Sequence, residues 1–258
     1  MDEALVGDTA VVVPAKDEEL RVAATVRAAL GIPGVDLVIV VDDGSLDGTT
    51  YAAERAGATV LRHPRNRGKA AAMESGAGAV RAADVREGRT EPRHLLFLDA
   101  DLEGTAAAAA VPVPPVRAGI ADMTIAVLPP QARKGGGHGF VVKLSRRGIA
   151  PATGFEAAQP LSGQRCLTRD AFEAARPLAY GFGVETALTI DLLRAGLRVR
   201  EVECALHHRV TGSDWRSQVH RARQYVHVGR ALGVRRMPGR KPAAVPLATT
   251  APGSNRPA

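Results

Sequence analysis

Residues 37–49 read LVIVVDDGSLDGT: an unbroken apolar, β-branched run that stops at Asp42-Asp43-Gly44-Ser45. Such a run, closed by turn formers, is the pattern of a strand buried on both faces. Working outward, similar runs occur at Thr9–Pro14 (TAVVVP), Ala58–Leu61 and Leu95–Leu98. Between them lie stretches of helical spacing: Glu18–Leu30, stopped by Gly31, then Thr50–Ala56 and the Ala-rich Lys69–Ala83. Strands alternating with helices at this interval build βαβ units, hence an α/β fold with a mostly parallel, Rossmann-like sheet flanked by helices.

The rest of the chain is less regular. Ala106–Ala110 reads as helix, broken by prolines at 112, 114 and 115. Residues 129–165 are rich in Gly and Pro, with Gly135-Gly136-Gly137 and the basic Lys134, Lys143, Arg146 and Arg147. They predict a long irregular functional loop or lid. Helices resume over 169–176, 185–195 and 214–232, with a strand at Arg198–Cys204. From Pro238 onward the Pro/Ala/Thr-rich chain has no periodicity and predicts disorder.

Composition excludes several classes. At 258 residues the chain can bury an ample core, and 45% hydrophobic with 24% charged residues is ordinary for a globular protein. Cys166 and Cys204 are too few for a disulfide scaffold or a four-ligand zinc site, and read as buried thiols. No apolar run approaches 18 residues, and the N-terminus, MDEALVGD, is acidic where a signal peptide is basic, so a cytoplasmic setting is expected. The net charge of +7 is uneven: residues 193–258 carry a local +10 and residues 1–192 a local −3. Such a basic quarter can steer anionic substrates, nucleic acid or a membrane surface. Nucleic acid is disfavoured by the absence of a binding motif and by only 3% aromatics. The helix at 214–232 reads as core-packed with a basic outer face, with a homodimer contact or peripheral membrane contact as the other options.

In an open parallel sheet, ligands bind beyond the carboxyl ends of the strands. Here those ends run into Pro14-Ala15-Lys16-Asp17-Glu18, Asp42-Asp43 and Asp99-Ala100-Asp101. Carboxylates gathered at one rim repel one another, and a hard divalent cation is the usual compensation. Such an ion would also neutralise a diphosphate leaving group. Lys69 opens a helix just after Gly68, adding its charge to an amide-rich anion site. No Gly-x-Gly-x-x-Gly follows the first strand, which argues against a dehydrogenase. His63 and Ala70 stand where a P-loop needs Gly and Ser/Thr. Glu103 departs from the aspartyl-phosphatase pattern, and the first strand lacks the Gly-rich loop of a nucleotidyltransferase.

Val12–Glu18 (VVPAKDE), Val40–Thr49 (VVDDGSLDGT), Asn66–Ala70 (NRGKA) and Phe97–Leu102 (FLDADL) together resemble the serial motifs of family-2 glycosyltransferases of the GT-A fold. The resemblance extends over about residues 9–235. It implies a single domain at 1–235, with a nucleotide-binding half at 1–105, an acceptor-binding half at 106–235 and a disordered basic tail at 236–258. It implies nucleotide contacts from Pro14, Ala15, Glu18, Asp42, Asp43, Gly68, Lys69, Asp99 and Ala100. Asp43 would accept from the base ring N–H, and Asp99 and Asp101 would form the motif for Mg²⁺ or Mn²⁺.

Pro160–Arg165 (PLSGQR) is similar to the loop beneath the donor sugar in such enzymes, which implicates Leu161, Ser162, Gly163 and Arg165. Gly181–Glu185 (GFGVE) resembles the acceptor segment of glucosyl-3-phosphoglycerate synthases and, less closely, of polyprenyl-phosphate sugar transferases. Glu185 is the candidate base or acceptor-orienting group. His208 would complete the metal shell, and Arg209 and Ser213 match phosphate contacts. Lys143, Arg146 and Arg165 are candidate anion contacts. The expected reaction is hexose transfer from a nucleotide-diphosphate sugar, UDP-glucose ahead of GDP-mannose, to a small anionic acceptor. A polyprenyl-phosphate acceptor is the alternative, weakened by Asp214 where those relatives show Lys.

Overall fold

The computed structural model describes residues 7–129, 139–205 and 215–236. The elements run β1 (Thr9–Ala15), α1 (Val22–Leu30), β2 (Val35–Asp42), α2 (Thr49–Arg55), β3 (Thr59–Arg62), α3 (Lys69–Arg86) and β4 (His94–Phe97). A 3₁₀ segment, Glu103–Ala110, leads to α4 (Val113–Arg117), β5 (Met123–Val127), α5 (Phe140–Thr153), β6 (Arg165–Leu167) and α6 (Arg169–Ala174). A short 3₁₀ turn, Gly181–Gly183, precedes α7 (Val184–Arg194), β7 (Val199–Glu203) and α8 (Trp215–Arg236).

Among the described residues, seven strands form one sheet in the order β3-β2-β1-β4-β6-β5-β7. All neighbours are parallel except β6, which runs antiparallel to both β4 and β5. The unbroken apolar runs are explained by a core on each face of the sheet. Val11, Val13, Val38, Val40 and Leu96 enter one core with α1 and the 3₁₀ segment. Ala10, Val12, Ile39, Val41, Leu95 and Phe97 enter the other with α3, α6 and α7. Because successive side chains alternate faces, only a strand apolar at every position serves both.

Two sequence expectations change. The irregular stretch predicted over 129–165 contains the 14-residue helix α5. Its Val141, Leu144, Ile149 and Ala152 recur at near-helical spacing and join a third core with Ile190, Val228 and Leu232. β5 and β6 were not expected; at five and three residues they are too short to show a period. Lys134, Gly135, Gly136 and Gly137, and the tail at 237–258, lie outside the described residues. Both thiols are buried and unpaired, and burial pushes that of Cys204 up to about 11. No helix among the described residues is long and apolar enough to cross a membrane.

Candidate active site

The parallel strands β1, β2 and β4 end at a common rim. β6 runs the opposite way beside β4, with Phe97 opposite Arg165, so the loop before β6 stands at that rim too. The topology therefore brings together the Pro14–Glu18 turn, Asp42-Asp43, Asp99–Asp101 and the loop at 160–164.

At the end of β2 the carboxylates turn inward. Asp42 is wholly buried; it accepts the Ser45 N–H at 2.8 Å and the Thr50 hydroxyl. Burial alone would raise its pKa, but the bonds from Ser45 and Thr50 outweigh it and hold the carboxyl below its usual range. The expected nucleotide contact by Asp42 is thus corrected: its side chain caps the turn into α2 and has no face to a ligand. Asp43, 5% exposed, accepts the N–H groups of Arg67 at 2.8 Å and Gly68 at 2.7 Å. His63 Nδ1 lies 2.7 Å from the same carboxylate, and His63 Nε2 lies 2.9 Å from the Ser75 hydroxyl. Asp43 thereby fixes the loop that delivers Gly68 and Lys69. Gly44 (φ +74°) makes the approach possible, since a Cβ there would lie 2.7 Å from the Arg65 carbonyl carbon.

The end of β4 is built differently. Ala100 points into the core, 4% exposed, and its carbonyl accepts the Thr25 hydroxyl at 2.8 Å. Its expected nucleotide contact could come only through its backbone. Asp99 and Asp101, on either side, are partly exposed. Asp99 Oδ1 accepts from Lys69 Nζ at 2.8 Å, and Oδ2 accepts from Gln164 Nε2 at 2.6 Å. Lys69 Nζ is also 3.0 Å from Glu185 Oε1, in the first turn of α7. Burial alone would depress the Lys69 pKa, but Asp99 and Glu185 carry it above the ordinary lysine range. One ammonium thus joins a carboxylate of the first half to a carboxylate of the second. Gly163 lies against this pair: a Cβ there would stand 2.5 Å from Lys69 Nζ and 2.8 Å from Asp99 Oδ1.

On the β1 side, Pro14 is half-buried and Ala15 is 4% exposed, its carbonyl accepting the Asp43 N–H at 2.8 Å. Glu18 Oε2 receives Arg21 Nε at 2.7 Å and Nη2 at 2.6 Å. Burial, with the charges of Asp101 and Asp47, nevertheless pushes the Glu18 carboxyl above its usual range.

Arg165 is a further correction. It is 1% exposed, and its guanidinium donates to the carbonyls of Ser162 at 2.8 Å and Pro160 at 2.9 Å and to the Thr189 hydroxyl at 2.9 Å. Burial lowers its pKa to about 10. It ties the 160–164 loop down from beneath and does not meet an anion. Leu161 and Ser162 are half-buried in that loop, while Lys143 and Arg146 stand exposed on α5. His208, Arg209 and Ser213 lie outside the described residues. Gln164, His63 and His227 were missed by sequence reasoning. His227 stacks on Phe182 with centroids 5.7 Å apart, and its Nδ1 is 3.3 Å from the Phe182 N–H, so α8 braces the turn that delivers Glu185.

The donor chemistry of the rim fits a hard divalent cation. Among the described residues, no three His, Cys, Asp or Glu side chains converge as a closed protein cage. An Mg²⁺-type site needs none, because it takes one or two carboxylates and completes its shell from substrate phosphates and water. Asp99 and Asp101 both stand partly exposed at this rim, Asp99 held by Lys69 and Gln164.

Residues 10–115 match the family model described as "Glycosyl transferase family 2". The crystal structure of glucosyl-3-phosphoglycerate synthase from Mycobacterium tuberculosis in complex with phosphoglyceric acid superposes with a TM-score of 0.71, covering 90% of this chain and 81% of that one at 26% identity. Over residues 10–115 the chain is similar to family-2 glycosyltransferases, and its fold is that of its GT-A neighbours. The same synthase with Mn²⁺, UDP and phosphoglyceric acid gives a TM-score of 0.71 at 26% identity over 92% of this chain and 82% of that one. Glycosyltransferase AglJ of Haloferax volcanii is 28% identical over 186 residues, 69% of this chain. That match covers 56% of AglJ, so the chain spans little more than half the length of this curated relative. The motifs of the family-2 domain fall at the strand ends described above, and the matched region stops short of the loop at 160–165 and Glu185.

Proposed function

We propose that the protein transfers a hexose from a nucleotide-diphosphate sugar, UDP-glucose, to the hydroxyl of a small anionic acceptor of the phosphoglycerate or glycerol-phosphate type. In this reading residues 1–105 hold the nucleotide and residues 106–235 the acceptor. The observation that carries it is the bridge from Asp99 through Lys69 to Glu185, with spacings of 2.8 and 3.0 Å. It sets a nucleotide-side carboxylate, a phosphate-binding cation and an acceptor-side carboxylate within one contact of each other. The solved relatives support the choice of substrates, since they were crystallised with UDP-glucose and with phosphoglyceric acid or glycerol 3-phosphate.

Each residue has a distinct task. Lys69 and the unpaired N–H groups at the start of α3 meet the diphosphate. Asp99 and Asp101 would hold Mg²⁺ or Mn²⁺, with His208 a further ligand by resemblance. When bound, that ion supplies charge neutralisation of the leaving diphosphate. Glu185, shared with Lys69, accepts a hydrogen bond from the acceptor hydroxyl and orients it toward the sugar carbon. In the transfer the bond from that carbon to the diphosphate oxygen breaks, the bond to the acceptor oxygen forms, and the hydroxyl proton passes to the Glu185 carboxylate and on to water.

Calorimetric titration with UDP and GDP, each with and without Mn²⁺, followed by product analysis with UDP-glucose and 3-phosphoglycerate, tests the proposal. Manganese-dependent UDP binding and a glucosylated acid are expected. Transfer only to polyprenyl phosphate in vesicles would replace the acceptor assignment. UDP binding without turnover on any acceptor would reduce the protein to a nucleotide-binding module.

A further inference from the structure

Gln164 is the member of the PLSGQR loop to which neither the motifs nor the resemblance gives a task, and it is 1% exposed. Its place follows from topology. In the antiparallel β4–β6 register Phe97 pairs with Arg165, so the residue before β6 falls beside the chain leaving β4. Its backbone is pinned there, the carbonyl accepting the Ala126 N–H of β5 at 2.9 Å. Its side-chain amide has one workable orientation. Oε1 accepts the Ser162 hydroxyl at 3.1 Å, which leaves Nε2 to donate to Asp99 Oδ2 at 2.6 Å. The opposite Asp99 oxygen belongs to Lys69.

We infer that Gln164, oriented by Ser162, is the positioning residue of the site: it fixes the Asp99 carboxylate plane and, through it, Lys69 and the backbone that carries Asp101. The inference rests on the proposed nucleotide-sugar chemistry and adds a residue of the acceptor half to the donor half's acidic motif. A neutral amide suits the position. A glutamate would oppose Asp99 with a second carboxylate, and an apolar side chain would take that donor from the Asp99 carboxylate. The site therefore depends on a hydrogen-bond donor that carries no charge of its own. An outer partner of this kind typically changes metal affinity or activity by about 10–100-fold when removed.

The test uses the full chain with Gln164→Met, Gln164→Glu, Gln164→Asn and Ser162→Ala. Binding of UDP in EDTA, binding of Mn²⁺ to the UDP complex, glucose release or transfer from UDP-glucose, and melting temperature are measured on each. Gln164→Met should weaken Mn²⁺ binding and lower kcat by about 10-fold or more, with a distinctly smaller loss of UDP binding in EDTA and an unchanged melting temperature. Gln164→Glu should be worse than Gln164→Met, and Ser162→Ala milder than either. Gln164→Asn, folded but too short to reach, should behave like Gln164→Met. Wild-type Mn²⁺ affinity and kcat in Gln164→Met would overturn the inference. So would a loss of metal-free and metal-dependent binding in parallel with melting temperature, which is the signature of a purely architectural residue. If the wild-type protein itself binds no UDP with Mn²⁺, the underlying reading of the site fails first, and that outcome is visible before any variant is made.

Discussion

The ends of β2 and β4 present the same residue type at the same place in the same fold, yet their aspartates have different fates. After β2, Gly44-Ser45 and the loop through Gly68 bring amide and hydroxyl donors to the carboxylates, which are consumed as turn and loop anchors. After β4 the next residue, Ala100, packs into the core, and the donors to Asp99 are side chains from 30 residues before and 65 residues after it. A carboxylate enclosed by donors from its own half of the chain builds shape. One satisfied by side chains from both halves of the chain is available to exchange partners with a ligand.

Substitutions can break this contrast. The largest effect is expected for Asp101→Ala: metal-supported transfer should fall by at least about a hundredfold, while the melting temperature stays at the wild-type value. Asp42→Ala should instead cost about 1–3 kcal/mol of stability through unsatisfied buried donors, seen as a lower urea midpoint. If Asp101→Ala unfolds and Asp42→Ala merely loses turnover, the contrast is inverted. Next comes Lys69→Met, which releases Asp99 and Glu185 together. We expect a loss in kcat/KM of about a hundredfold, with Lys69→Arg recovering part of it.

A smaller effect sharpens the contrast through pH. The folded-state pKa of Asp42 lies below its unfolded value, so its stabilisation is complete above the ordinary aspartate pKa of about 3.9 and is lost as pH falls through the folded value. Asp42→Asn should therefore flatten the acid-side decline of the urea midpoint. Glu18 has the opposite sign. Its raised pKa makes its charged form a cost at neutral pH that eases as pH falls through that raised value. Glu18→Gln should leave the neutral-pH midpoint unchanged or slightly higher.

The parallel sheet was legible because its central strands are apolar at every position, a consequence of being buried on both sides. The helix α5 was hidden by composition, since Gly139, Gly148, Pro151 and Gly154 give it the look of a loop although its apolar residues keep a helical spacing. Among site residues, Lys69 and Asp99 were legible from strand-end logic and the order of the motifs, whereas Gly163 and Glu185 were brought to the site only by the family resemblance. The inward turn of Asp42 was not legible, because Asp-Asp-Gly-Ser is equally good as a ligand edge and as a cap for the following helix. Arg165 looked like an anion contact because a basic residue in a polar loop is normally solvated. Its burial depends on a three-residue strand whose direction is not encoded in any local period.

The crowding around Gly163 has an engineering consequence. A methyl group there would stand 2.5 Å from Lys69 Nζ and 2.8 Å from Asp99 Oδ1, so any side chain at 163 must displace the two groups that link the halves of the site. Changes meant to reshape this loop are better placed at Leu161, with position 163 left bare and Ser162 kept for its bond to Gln164.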